Sequence, residues 1–410
     1  MFNTAANVPS AEIESRIARF QLDLQQQRLD GALILQNSDL FYLCGTIQQS
    51  QLYVPAVGKP LLMVRKSLER ALAESPLETI VPITSPKKIP DILKSRGLAF
   101  PLRLGMELDV LPVNLFRTYE TIFQGPEITD ISPSLRMQRS VKSPYEIEII
   151  AKAAQYSDQV AAHAADIMRA GMTELELAGL VEAHARKLGH QGIIRMRLWG
   201  GELFYGHLLA GASAAVPSFL ASPTGGSAAN PAVAQGAGFA RIQPHQPILL
   251  DYAFALNGYI SDHTRVLAIG SLPDDLLAAH DAMLTIQERI KSEAKPGVAT
   301  GHLYDLAVRM AADAGYAENF MGAEDQRIRF IGHGVGLELD EYPFLAKAQE
   351  MPLQENMVIA LEPKLIFPGK GVVGIENTHV VTPGGLNQLG RYPDRITIIQ
   401  NPYPANPTIQ

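Results

Sequence analysis

Cysteine is almost absent from this chain of 410 residues: Cys44 stands alone, so no internal disulfide can staple the fold and no thiolate cluster can hold a metal. That usage fits a reducing compartment. Long apolar runs are missing too, since nowhere do about 18 apolar residues follow one another, which excludes a simple membrane-spanning helix. Met1-Phe2-Asn3-Thr4 has no basic stretch leading into an apolar core, so an export signal is not expected and a cytoplasmic location is. Positive charge is in short supply, 35 Lys and Arg against 42 Asp and Glu for a net charge of −7, and this argues against nucleic acid as a partner. The first third of the chain also lacks any dense cluster of His, Asp and Glu, and is expected to serve structure or oligomer formation rather than chemistry.

What is present is ordinary for a globular protein: 47% hydrophobic and 19% charged residues, in a length that suggests two or three domains. Residues 12–27 carry a helical pattern, and Asp30-Gly31 leads into an apolar strand at 32–35. Further strands are expected at 61–64, 102–105 and around Ile128, with helices at 67–74 and 89–96, which makes an α/β domain over residues 1–135. A second domain over 136–410 follows. It opens on Ser143, an N-cap with Pro144 at the first helical position and Glu146 completing a capping box, so a helix is expected over 144–169. Thr173 and Glu176 make a second capping box, and Gly189 closes that helix.

A shift of 126 residues superposes part of the second half of this domain on the first: Gly171, Leu177, Leu180, Ala185 and Gly189 fall on Gly297, Leu303, Leu306, Ala311 and Gly315. Each half then reads as a long helix, a glycine turn, a second helix and strands. Two similar halves closing on one site are expected.

The first half contributes Asp251 at the end of the apolar run Ile248-Leu249-Leu250, and Asp262 beyond the hairpin dipeptide Asn257-Gly258. With those two residues as a type I′ loop, Leu256 faces Tyr259, Thr264 faces Asp251 and Ala253 faces Asp262, so the two carboxylates are diagonal neighbours on one face. Such a pair repels unless a proton or a metal lies between, although a pair of strand-end aspartates facing water is the bland alternative. The second half contributes His333 in Gly332-His333-Gly334-Val335-Gly336, whose glycines would let the backbone approach a ligand closely. It also contributes Glu362 and Glu376 at the edges of apolar runs separated by Pro368-Gly369-Lys370-Gly371. Singly, His333 is better explained as a hydrogen-bonded core histidine and its glycines as a simple tight turn. Together, four carboxylates and one imidazole suit hard or borderline divalent ions, with oxygens enough to bridge two, and metal-assisted hydrolysis is the natural use.

In this order and spacing the segments around Asp251, Asp262, His333, Glu362 and Glu376 resemble the signature of the pita-bread metallopeptidases, which include methionine aminopeptidase, prolidase and aminopeptidase P. The first third resembles the creatinase-type N-terminal domain. The resemblance implies an α/β (α+β) protein with a C-terminal pita-bread domain built on an internal pseudo-twofold repeat, two divalent metal ions with manganese expected and cobalt, iron or zinc as alternatives, and a homodimer. It also implies that Asp251 chelates one ion, His333 and Glu362 the other, that Asp262 and Glu376 bridge, and that Glu362 handles the proton of the attacking water.

Three departures bear on substrate. Proline-specific members carry a histidine where this chain has Ser218, a His-Glu pair where it has Asp340-Glu341, and an arginine where it has Gly374. Ser218, Asp340 and Tyr205 are taken as substrate-binding candidates, and His207 as a replacement proton donor; His263 and His379 are expected to pack structurally, and Trp199 to sit in core packing. The Gly/Ala/Pro-rich segment 218–238 is expected to contact substrate. The reaction implied is hydrolysis of a small peptide or peptide-like amide of the Xaa-Pro type. A creatinase-like hydrolase or lyase acting on a small metabolite is the alternative, and a non-catalytic binding protein on the same fold a third.

Overall fold

The structure is a computed structural model that describes residues 7–203, 205–220 and 222–400. The chain divides into two compact units, Met1–Arg139 and Ser140–Gln410. The first is built on a six-stranded mixed sheet ordered Ile80–Pro82, Leu61–Val64, Ser50–Pro55, Gly31–Ile34, Arg103–Met106, Glu127–Asp130. Gly31–Ile34 and Leu61–Val64 are buried along their whole length, which is why they read as unbroken apolar runs rather than as an alternation. Leu33, Tyr53, Met63, Leu104 and Phe123 pack together on one side of that sheet. The strand Ser50–Pro55 and the helices Asn37–Cys44 and Val113–Ile122 complete the unit. Sequence periodicity did not reveal them.

The second unit begins with the helix Pro144–Ile167, whose capping box is formed as expected: the Ser143 hydroxyl accepts from the Glu146 amide while the Glu146 carboxylate accepts from the Ser143 amide. Helices Glu174–Lys187 and Thr300–Asp313 lie 126 residues apart at both ends, and the glycines flanking them match: Gly171 and Gly297, then Gly189 and Gly315, all have positive φ. The internal repeat is therefore real at the level of structure. Each half carries its own sheet. One is ordered Thr397–Ile399, Thr264–Ile269, Ile248–Tyr252, Gly206–Ala210; the other is ordered Glu341–Ala346, Phe330–Gly334, Val358–Leu361, Asn377–Thr382, Gly385–Gln388. An isolated bridge between Thr264 and Glu376 joins the two halves at the point where the carboxylates meet.

The hairpin register follows from the turn. Asn257 and Gly258 both have positive φ, Leu256 pairs with Tyr259, and Thr264 pairs with Asp251. Among the described residues no helix is long and apolar enough to cross a membrane.

Candidate metal centre

Each expected ligand leaves the end of a strand, where the ladder stops and the side chain can turn inward. Asp251 lies in Ile248–Tyr252, Asp262 just after Tyr259–Ser261, His333 in Phe330–Gly334, Glu362 just after Val358–Leu361, and Glu376 just before Asn377–Thr382. All five line one cleft, together with Tyr205, His207 and Asp340. Asp262, His333 and Glu376 each offer one ligand atom, and those atoms lie within 4.8 Å of one another.

The imidazole is oriented for a cation. His333 Nδ1 lies 3.0 Å from the Leu339 carbonyl and 3.1 Å from that of Gly334, and carbonyls only accept, so Nδ1 carries the proton. Nε2 is left with its lone pair 3.8 Å from Asp262 Oδ2 and 3.7 Å from Glu362 Oε1. A lone pair facing two anionic oxygens is repulsive until a positive ion, or a proton, stands between them. Without an ion, burial works to keep His333 neutral, but the charges of Asp340, Glu362 and Asp262 overcome it and raise its pKa. Burial and the neighbouring Asp251 push Asp262 up to about 7, and burial with Asp262 raises Glu376 well above the usual carboxylate range. These residues fit a divalent ion.

The carboxylates are held from behind. Thr264 Oγ1 donates to Glu376 Oε2 at 2.7 Å, the Asp262 amide donates to Thr378 Oγ1 at 2.8 Å, and His263 N donates to Asp262 Oδ1 at 3.0 Å. Beneath them the buried Arg265 donates to the carbonyl of Glu376 at 2.9 Å and to Asn377 Oδ1 at 2.8 Å. The glycines around His333 act differently from the sequence expectation. A Cβ at Gly332 would meet Ala360 O at 2.4 Å, at Gly334 Tyr342 O at 2.1 Å, and at Gly336 Glu341 Oε2 at 2.5 Å. They admit neighbouring protein segments rather than a ligand.

Lys364, absent from the sequence expectations, enters the same cage. Its ammonium lies 2.8 Å from Glu362 Oε2, 2.8 Å from Glu376 Oε2 and 3.2 Å from Asp251 Oδ2, with the side chain 1% exposed. Burial alone would lower its pKa, yet Asp251, Glu362 and Glu376 raise it well above the usual lysine value. Asp251 is conversely held low by Lys364 and His207 against its burial. A lysine opening an otherwise apolar hairpin strand, Lys364–Phe367, was the available signal.

Of the other candidates, Tyr205, His207 and Asp340 line the cleft and Ser218 does not. Ser218 lies against Gly225, where a Cβ would meet its own at 2.7 Å; from the same segment it is Leu220, Ser222 and Gln235 that reach the cleft. His207 pairs with Asp251 in the ladder, with Nδ1 2.9 Å from Thr224 Oγ1 and Nε2 3.0 Å from Gln235 Oε1. Both nitrogens are engaged, so His207 is placed to position Thr224 and Gln235, with no free nitrogen for the expected proton donor. Asp340 Oδ1 stands 3.6 Å from His333 Nδ1, whereas Glu341 is tied to Lys142 at 2.8 Å and to the Leu337 amide at 2.9 Å. His263 and His379 are buried outside the cleft, and Trp199, expected in packing, is 96% exposed.

Known proteins resemble the chain along most of its length. The sequence pattern described as metallopeptidase family M24 matches residues 148–383, and that of the creatinase/prolidase N-terminal domain matches residues 16–141. An Xaa-Pro dipeptidase from Pyrococcus horikoshii is 27% identical over 369 residues, 89% of this chain and 94% of the relative. In fold, an X-Pro aminopeptidase from Thermotoga maritima superposes with a TM-score of 0.78 at 24% identity, covering 93% of this chain and 99% of that one. An Xaa-Pro dipeptidase from Bacillus anthracis superposes with 0.79 at 23% identity, covering 94% and 99%.

Proposed function

The chain belongs to metallopeptidase family M24 and is a metal-dependent hydrolase of peptides, and on that premise we propose that it cleaves small Xaa-Pro peptides in the cleft between Asp251 and His333. The observation that carries the reading is the imidazole of His333, proton fixed on Nδ1 and lone pair turned to Asp262 and Glu362. Asp262, His333, Glu362 and Glu376 would hold the divalent ions, with Asp251 at the far end of the cage; a two-ion centre is consistent with the family. When bound, such ions lower the pKa of water and stabilise the oxyanion formed at a carbonyl.

The chain's own residues supply the remainder. Glu362 Oε1 accepts the proton that the attacking water loses and delivers it to the leaving amine, a carboxylate role that its place beside His333 supports. His207 bonds the buried Thr224 and holds Gln235 at the cleft wall, while Leu203, Leu220 and Phe330 offer apolar surface to a substrate side chain or a proline ring. Asp340 carries negative charge where the sequence resemblance expects a histidine, and favours a substrate with a positive group nearby. Manganese is the proposed ion, supported by an oxygen-rich ligand set with one imidazole. A homodimer, a cytoplasmic location and a supporting role for the first domain complete the proposal. The single buried Cys44 supports a reducing compartment.

A panel of Xaa-Pro dipeptides and tripeptides, assayed with Mn²⁺ and after chelation, tests the reading. Pro-dependent cleavage abolished by chelator is expected. Ser218, Asp340 and Gly374 favour one second reading, a metal-dependent enzyme acting on a small non-peptide amine, and turnover of such compounds without peptide cleavage would replace the first.

A further inference from the structure

Glu362 splits the cage into two ends. Its Oε1 faces His333 at 3.7 Å, while its Oε2 accepts from Lys364 at 2.8 Å. On the Lys364 side the ammonium has three N–H groups and three carboxylate oxygens within 3.2 Å, one each from Glu362, Glu376 and Asp251, so its donors are matched by acceptors. A divalent ion at this end would have to draw on the same three oxygens and so compete with Nζ for them.

The backbone that carries this side chain is also anchored. Lys364 opens the strand Lys364–Phe367, pairs with Gly374, and donates its amide to Met321 Sδ at 3.3 Å. At Gly374, where φ is +156°, a Cβ would meet Pro363 O at 2.5 Å and Lys364 Cα at 2.6 Å, so the lysine backbone occupies the space that a side chain there would need. The His333 end is different: a lone pair and carboxylate oxygens converge there, and among the described residues no lysine or arginine stands between them.

We propose that Lys364 stands in for one of the two divalent ions: a single ion is held tightly at Asp262, His333 and Glu376, and a second enters only by displacing the Lys364 ammonium from Asp251. This rests on the metallopeptidase reading and specifies how its site is loaded. The two ends of the cage are then unequal, and Asp251 serves as the lysine's counter-ion in the resting protein.

The test is Mn²⁺ binding by equilibrium dialysis with electron paramagnetic resonance of the bound ion, on the full chain and on Lys364→Met, Asp251→Asn and His333→Ala. The wild type is expected to hold about one tight Mn²⁺ with an uncoupled signal, and Lys364→Met about two with a spin-coupled signal. Should Lys364→Met fail to fold, Asp251→Asn decides, because it should weaken the tight ion by less than about tenfold while His333→Ala weakens it by more than about 100-fold. Two tight, coupled ions in the wild type would overturn the proposal alone, as would a folded Lys364→Met still limited to one, or an Asp251→Asn as damaging as His333→Ala. A wild type that binds no Mn²⁺ would overturn it together with the metal-dependent reading.

Discussion

Both units bury charge in matched pairs, but the second adds a cluster that the first lacks among its described residues. In the first, Arg139 meets Asp39 at 2.7 Å, Arg16 meets Glu12 at 2.8 Å and donates to the Tyr42 carbonyl at 3.0 Å, and Glu107 accepts from the amides of Leu35 and Gln36 at 3.0 and 3.2 Å. Each charge there is answered by a partner of the chain itself. In the second, Asp251, Asp262, Glu362 and Glu376 converge on one ammonium and one imidazole. Matched buried charges shape a fold, whereas an unmatched set is a demand for a cation from outside.

The contrast breaks most sharply at Asp262. Asp262→Ala should lower kcat/KM by at least about 10³-fold and abolish tight Mn²⁺ binding, while leaving the urea midpoint of the metal-free protein unchanged or higher, since one of the crowded carboxylates is gone. A large stability loss with activity intact would mean that the cage is structural after all. Arg139→Met should do the reverse. It takes the guanidinium away from the buried Asp39 carboxylate and should cost up to about 3–5 kcal/mol in urea unfolding of the first unit, with Mn²⁺ affinity unaltered.

Mn²⁺ at about 100 times its dissociation constant should stabilise the second unit by about 2.7 kcal/mol, and heat unfolding followed with and without chelator reads it. A shift of the first unit's transition as well would blur the division. A smaller effect concerns His190, whose pKa burial lowers from its ordinary 6.5 to about 4 against the help of its bond to the Ala253 carbonyl. The unfolded chain binds the proton that the folded one refuses, so the stability from this group is complete above about pH 6.5 and is lost as pH falls towards 4. Between pH 7 and pH 5 the wild type should therefore lose more stability than His190→Gln, and equal losses would refute the assignment. Smallest of all, Lys59→Gln removes the exposed pair with Glu78 and should change stability by less than about 0.5 kcal/mol.

The five candidate ligands, which the structure brings to one cleft, stood out as a set because carboxylates at the edges of apolar runs are costly to bury, and a core built for packing alone would not place them there repeatedly. Asn257-Gly258 set the register of Asp251 against Thr264 because a type I′ turn permits one pairing. The 126-residue offset showed itself through glycines that need positive φ on either side of paired helices. Ser218 was misplaced because a residue in an irregular segment carries no periodicity to orient it, and Gln235 and Ser222 of that segment reach the cleft instead.

By itself the sequence determined the two-domain α/β plan, the capped helices, the hairpin and the strand ends that carry the candidate ligands, since these depend on local periodicity, turn geometry and the cost of burying charge. Only the tertiary structure decided which groups share the cage. Lys364 lies far from Asp251 along the chain, and a lysine opening a hairpin strand ordinarily points to water. Closing the two halves at the bridge between Thr264 and Glu376 carries it inward. The balance of charge at the centre is therefore a property of the closed halves and of no single segment, because electrostatic interaction depends on distance in space.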